Sequence, residues 1–241
     1  MGNRASTGYH PFVLVVVGGG LFFLLSMLLS SKSKHQALKC SNNFLVPGYV
    51  ESYSLWMMPG ANSFQTKMLK KEIDTNAASY SSPRFLPHVT LLPDIKMTSD
   101  KVIETTQEMV LQWRSDEHVR EGWRASFQKI KKGKSFFQCV FILCEMDPTV
   151  MQAATIARRV FKMERLLGPY MPHLSLIYAD MTEQEKDDAV TSSELRLLVA
   201  SDEAKRKFKV EGFSSDRVSI WYTPTEDKNL ESWCWIADIN V

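Results

Sequence analysis

Cysteine is scarce in this chain, with four among 241 residues. Cys40, Cys139, Cys144 and Cys234 form no Cys-x-x-Cys pair and no cluster with histidine. That spacing excludes a zinc finger or ribbon. So low a density also excludes a disulfide scaffold and favours a reducing compartment. Cys139 and Cys144 lie in the apolar run FFQCVFILC and read as buried thiols packed like small hydrophobes. Excess charge is lacking too. The net charge is +2, so no strong field points to a polyanion, and DNA is not an expected partner. The sequence shows no carboxylate cluster suited to a hard cation, and neither metal nor cofactor is expected.

What is present begins with one long apolar run. Residues 12–29, FVLVVVGGGLFFLLSMLL, carry no charge. Crossing a bilayer as a helix takes about 20 apolar residues, and a secretory signal has a shorter apolar core. The expectation is a tail over 1–11, an uncleaved transmembrane signal anchor over 12–31, a polar linker over 32–49 and a globular domain over 50–241. Lys32, Lys34 and Lys39 follow the span while Arg4 precedes it. The excess of positive charge places the domain in the cytoplasm, on a single-pass membrane protein. MGNRAS also fits the myristoylation pattern at Gly2; a chance match to so short a pattern is the simpler reading.

The globular part alternates strands and helices. Tyr53–Met57 alternates as a strand, and Ser63–Ala78 has helical spacing at Phe64, Met68 and Ile73. Phe85–Leu92 reads as a strand, and Ser99–Trp113 as an amphipathic helix capped by Thr98 or Ser99. Ala125–Lys131 and Phe136–Cys144 are two strands, with Lys132-Gly133-Lys134 as their turn. Asp147 caps a helix that has Pro148 at its first position. His173–Tyr178 is a strand, and Thr182 with Glu185 forms a capping box. Val210–Tyr222 and Trp233–Ile239 close the domain. The order describes two similar halves.

One repeat links those halves: PHVTLL at Pro87–Leu92 and PHLSLI at Pro172–Ile177. Side chains alternate along a strand. His88 and Thr90 therefore share one face, as do His173 and Ser175, with Val89 and Leu174 behind them. Two imidazoles that titrate near neutrality can divide the roles of acid and base in opening a phosphodiester. Two hydroxyls supply donors to the charge that builds on the non-bridging oxygens. A single His-x-Thr or His-x-Ser carries little; two matched copies, one per half, carry much more. His10, His35 and His118 lie in polar surroundings and read as solvated.

At these residues the chain resembles the two-histidine phosphoesterases. The stretches YSLWMMP (Tyr53–Pro59), PRFLPHVTL, FFQCVFIL and PYMPHLSLIYADMTEQEK are similar to the plant-type cyclic phosphodiesterases, as is TPTEDKNLESW. The likeness runs over about residues 51 to 241. It implies an α+β, bilobal and pseudo-symmetric fold, with two antiparallel sheets around a central cleft and helices outside. It implies hydrolysis of ADP-ribose 1″,2″-cyclic phosphate and of nucleoside 2′,3′-cyclic phosphates to 2′-phosphates. It carries His88, Thr90, His173 and Ser175 over as site residues, with His173 activating water and His88 protonating the leaving oxygen; sequence leaves the swapped assignment open. Tyr178, Trp56 and Phe137 are candidates to contact or stack on the substrate. Lys129, Lys131, Lys132 and Lys134 read as a solvated charged turn. The stretch Thr191–Lys209 is longer and more charged than a compact version needs. Two other functions stay open: a membrane-anchored module that binds a nucleotide without turnover, and a phosphoesterase acting on RNA ends.

Overall fold

Strand pairing organises the molecule, seen here in a computed structural model that describes residues 48–201, 205–226 and 228–241. The chain runs through β1 (Glu51–Met57), α1 (Phe64–Tyr80), β2 (Val89–Met97), α2 (Ser99–Ser115), β3 (Trp123–Ser135) and β4 (Gln138–Cys144). It continues through α3 (Pro148–Val160), β5 (His173–Ile177), α4 (Glu183–Leu197), β6 (Leu198–Ser201), β7 (Lys205–Phe208), β8 (Gly212–Ser215), β9 (Arg217–Tyr222) and β10 (Cys234–Asn240).

Eight strands form one antiparallel sheet in the order β10-β9-β1-β2-β5-β4-β3-β8. The expected two sheets are thus two four-stranded halves that meet at the motif strands. They meet through one residue pair, Val89 opposite Leu174. The expected α+β architecture with antiparallel pairing holds. The two halves are joined into one sheet, with the motif strands β2 and β5 at its centre.

Local chemistry sets the helices. Ser63 accepts the amide of Thr66 at 3.1 Å and starts α1. Asp147 accepts the amide of Thr149 at 2.8 Å, and Pro148 follows it. Thr182 and Glu185 make a full capping box on α4. Thr98 precedes α2 without a side-chain cap. Leu69, Ile73 and Ala77 of α1 are buried, as are Val102, Met109, Val110 and Trp113 of α2. Two helices link the halves: α1 packs against β5, and α3 against β2 as well as β3. Arg196 joins α4 to α1 through Glu72 and Asn76. The Trp113 indole donates to the carbonyl of Ala153 at 3.3 Å and joins α2 to α3.

Two expectations are corrected by tertiary context. The β3–β4 turn is Phe136-Phe137, between the paired Ser135 and Gln138, rather than Lys132-Gly133-Lys134. Gly133 lies inside β3, where a Cβ would sit 1.9 Å from the Gln138 carbonyl oxygen. Its lack of a side chain permits close strands, not a turn. The first motif strand starts at Val89 and reaches Met97, beyond the expected Phe85–Leu92. The charged stretch after α4 holds a two-stranded β6–β7 hairpin.

The membrane anchor, and the localisation drawn from it, is also corrected. Among the described residues no helix is long and apolar enough to cross a membrane. The four helices have 13 to 17 residues and carry charges, where a span needs about 20 apolar residues. Residues 12–31 lie outside the described residues, as does Gly2. Cys139 and Cys144 are buried free thiols as expected, and burial pushes the Cys144 thiol up to about 12. Cys234 is disulfide-bonded, which removes the support that cysteine usage lent to a reducing compartment.

Candidate active site

The registers place side chains in rows across the sheet. Ile130, Ile142, Leu174, Val89 and Met57 pair in succession from β3 to β1. All five are buried, so that row faces the core. One step along, Leu143 pairs with His173, and Trp56 pairs with Thr90. The antiparallel register around Val89 and Leu174 sets Thr90 across from His173 and His88 across from Ser175. Alternation turns these four side chains to the face opposite Val89 and Leu174. The repeat seen in the sequence becomes a local two-fold relation about the central pair.

Both histidines are held the same way. His88 Nδ1 is 2.7 Å from the carbonyl oxygen of Leu86, and His173 Nδ1 is 2.9 Å from that of Met171. A carbonyl only accepts, so each Nδ1 carries a proton and each Nε2 is left for chemistry. His88 Nε2 lies 3.4 Å from the Tyr178 hydroxyl. His173 Nε2 lies 3.4 Å from Gln138 Nε2.

Their surroundings differ. His88 is 3% exposed. Its ring stacks on Trp56, with centroids 3.7 Å apart and planes 8° apart. Burial lowers its pKa to about 4; the Leu86 carbonyl opposes the shift, and a charge on His173 adds to it. His173 is half-buried, against the edge of Phe141 at 5.2 Å. Burial lowers its pKa as well, opposed by the Met171 carbonyl.

The other expected residues gather around this pair. Ser175 is buried, and its hydroxyl donates to the Phe137 carbonyl at 3.3 Å. Thr90 is half-buried, and its own carbonyl accepts from the Tyr170 hydroxyl at 3.1 Å. Tyr178 is buried against Phe85, with centroids 4.0 Å apart. Burial pushes its phenol up, against a hydrogen bond with Ser175. Trp56 does not offer the free face expected of a stacking platform. It is 2% exposed, and Trp221 stacks on its other side at 4.3 Å. Phe137 is half-buried and stacks on Trp233 at 5.7 Å. His118 is exposed, as expected, while His10 and His35 lie outside the described residues.

Sequence reading missed Tyr170, Gln138, Trp221 and Trp233. Nothing in their local patterns marks them; Tyr170 comes closest, two residues ahead of the second Pro-His. Among the described residues no group of three or more His, Cys, Asp or Glu side chains is disposed to hold a metal ion.

A matched pair of His-x-Thr/Ser motifs, one on each of two central strands, is the signature of the two-histidine phosphoesterases. The family model described as cyclic phosphodiesterase-like protein matches residues 51–239, and the chain belongs to that family. It is a phosphodiesterase, a hydrolase of phosphoric diesters. It is 32% identical over 192 residues to a cyclic phosphodiesterase of Arabidopsis thaliana, covering 78% of this chain and 94% of that one. It is 27% identical over 198 residues to a 2′,3′-cyclic-nucleotide 3′-phosphodiesterase of Phaeosphaeria nodorum, covering 77% and 96%. Among solved structures, E. coli LigT in apo form covers 80% of this chain with 98% of its own, at a TM-score of 0.46 and 9% identity. A likeness that distant bears on no residue.

Proposed function

We propose that the chain opens ribose cyclic phosphates without a metal, using His88 and His173 as general acid and base. The substrates are nucleoside 2′,3′-cyclic phosphates, opened to 2′-phosphates, and ADP-ribose 1″,2″-cyclic phosphate. The observation that carries this reading is the matched anchoring of the two rings. Each Nδ1–H donates to the carbonyl two residues upstream, so two Nε2 atoms are oriented on one face of the sheet. In-line opening needs a base on the attacking water and an acid on the leaving ribose oxygen.

Access favours one division of the roles. His173 is half-buried and within reach of water, which suits the base. His88 is enclosed by Trp56 and Tyr178, which suits the group that meets the leaving oxygen. A bound phosphate anion beside Nε2 opposes the desolvation that lowers its pKa, and so helps it hold a proton. Thr90, Ser175 and Tyr178 supply hydroxyl donors to the non-bridging oxygens. Trp56 acts through His88, as the surface that fixes its ring. Phe137 and Trp233 flank the pair and offer aromatic surface to the nucleoside.

The test is turnover of a nucleoside 2′,3′-cyclic phosphate by the full chain in excess chelator. Activity should persist, and His88→Ala and His173→Ala should each lower kcat by about 100-fold or more. Loss of activity in chelator would sink the metal-free mechanism. Tight binding of nucleotide without turnover of either substrate would replace the enzyme by a binding module.

A further inference from the structure

The rows that hold the histidines extend to two lysines. Lys129 pairs with Leu143, which pairs with His173; Lys131 pairs with Phe141, which pairs with Ser175. The lysines therefore stand in the same rows as site residues, two strands away, or about 10 Å at the usual strand spacing. They share the site's face, because Ile130 between them points into the core. Both lysines are exposed, and neither forms an ion pair among the described residues. Lys132, one step along, does: it reaches Asp187 at 2.6 Å and Glu183 at 3.2 Å on α4. The run KIKK is thus divided by alternation. One cation is tied down against a helix, and two are left free on the face of the site.

We propose that Lys129 and Lys131 bind a phosphoryl group on the 5′ oxygen of the ribose whose cyclic phosphate lies at His88 and His173. This rests on the reading of the site given above. The 5′ oxygen lies across the sugar from the cyclic phosphate. A lysine on its flexible four-carbon stem spans the remaining distance from two strands off. Between them lie Leu143, half-buried, and Phe141, buried with its ring against His173. Two substrates carry such a group: a small nucleotide with a 5′-phosphate or diphosphate, and the last residue of an oligonucleotide.

The test compares three substrates with the full chain at low salt: a nucleoside 2′,3′-cyclic phosphate, its 5′-phosphorylated form, and a dinucleotide ending in the cyclic phosphate. The 5′-phosphoryl group should raise kcat/KM by about fivefold or more, an effect that fades as salt is added. The double variant Lys129→Ala/Lys131→Ala should lose that advantage and keep its activity on the plain nucleoside substrate. An advantage shared by the dinucleotide assigns the site to oligonucleotide ends, and one confined to the phosphomonoester assigns it to small nucleotides. No advantage in the wild type, or equal loss on all substrates in the variant, overturns the proposal. If no cyclic phosphate is turned over, the reading of the enzyme falls instead. The lysines are then tested by calorimetry on a nucleoside 2′-phosphate with and without a 5′-phosphate. Equal affinity for the two overturns the proposal.

Discussion

The imidazole of His88 lies flat on the indole of Trp56, 3.7 Å away and 8° from parallel. Trp221 stacks on the far side of the indole, so a column of rings backs the histidine. The column excludes water from one face of His88 while the Leu86 carbonyl holds Nδ1. Only the Nε2 edge is left to react. The low pKa and the fixed orientation of this ring have one cause.

That cause predicts the pH profile. In the free protein both histidines titrate below the usual value of 6.5, His88 near 4. kcat/KM reports the free enzyme. Both limbs of its bell should therefore fall on the acid side of 6.5, whichever histidine is the acid. The profile of kcat should move alkaline, because a bound phosphate anion favours the protonated ring. A limb of kcat/KM at pH 7 or above would contradict the burial.

The same burial links stability to pH. The unfolded chain takes up a proton at His88 near 6.5, and the folded chain only near 4. The folded state thus binds fewer protons in that window, and stability falls as the pH drops through it. The loss approaches about 3 kcal/mol by pH 4 and levels off below it. Urea unfolding of the wild type and of His88→Gln at several pH values measures it. The difference between them should change by that amount between pH 6.5 and 4, and equal slopes would count against it.

Trp56→Phe probes the column directly. A smaller ring admits water beside His88 and weakens the desolvation. The acid limb of kcat/KM should move up from near 4 toward 6.5. A fall in activity with no movement of the limb would mean that Trp56 serves only to pack.

Away from the site, Arg196 holds the buried carboxylate of Glu72 through two bonds, at 2.9 and 2.8 Å. Glu72 is 3% exposed. Arg196→Ala should lower stability by about 3–5 kcal/mol, because it leaves a buried charge unpaired. Adding Glu72→Gln should recover part of that loss. Kinetic constants of the folded variants should match the wild type, and a large change in them would mean that the α1–α4 contact also shapes the site.

Much of this was legible in the residues. Ser63, Asp147 and the Thr182–Glu185 pair start helices because a cap is made within one turn of chain. His88, Thr90, His173 and Ser175 share a face because alternation is a property of any strand. The sequence by itself determined those elements and the paired motif.

Tertiary structure decided what depends on distant chain. The hairpin turns at Phe136-Phe137 because those rings pack on Tyr178 and Trp233, and no local glycine signal reports that. Trp56 lost both free faces to His88, 32 positions on, and to Trp221, 165 positions on. The split of Lys129 and Lys131 from Lys132 follows from the register of β3 on β4 and the position of α4. Register is a sum of long-range pairings, and a slip of one residue would have turned each of those side chains to the opposite face.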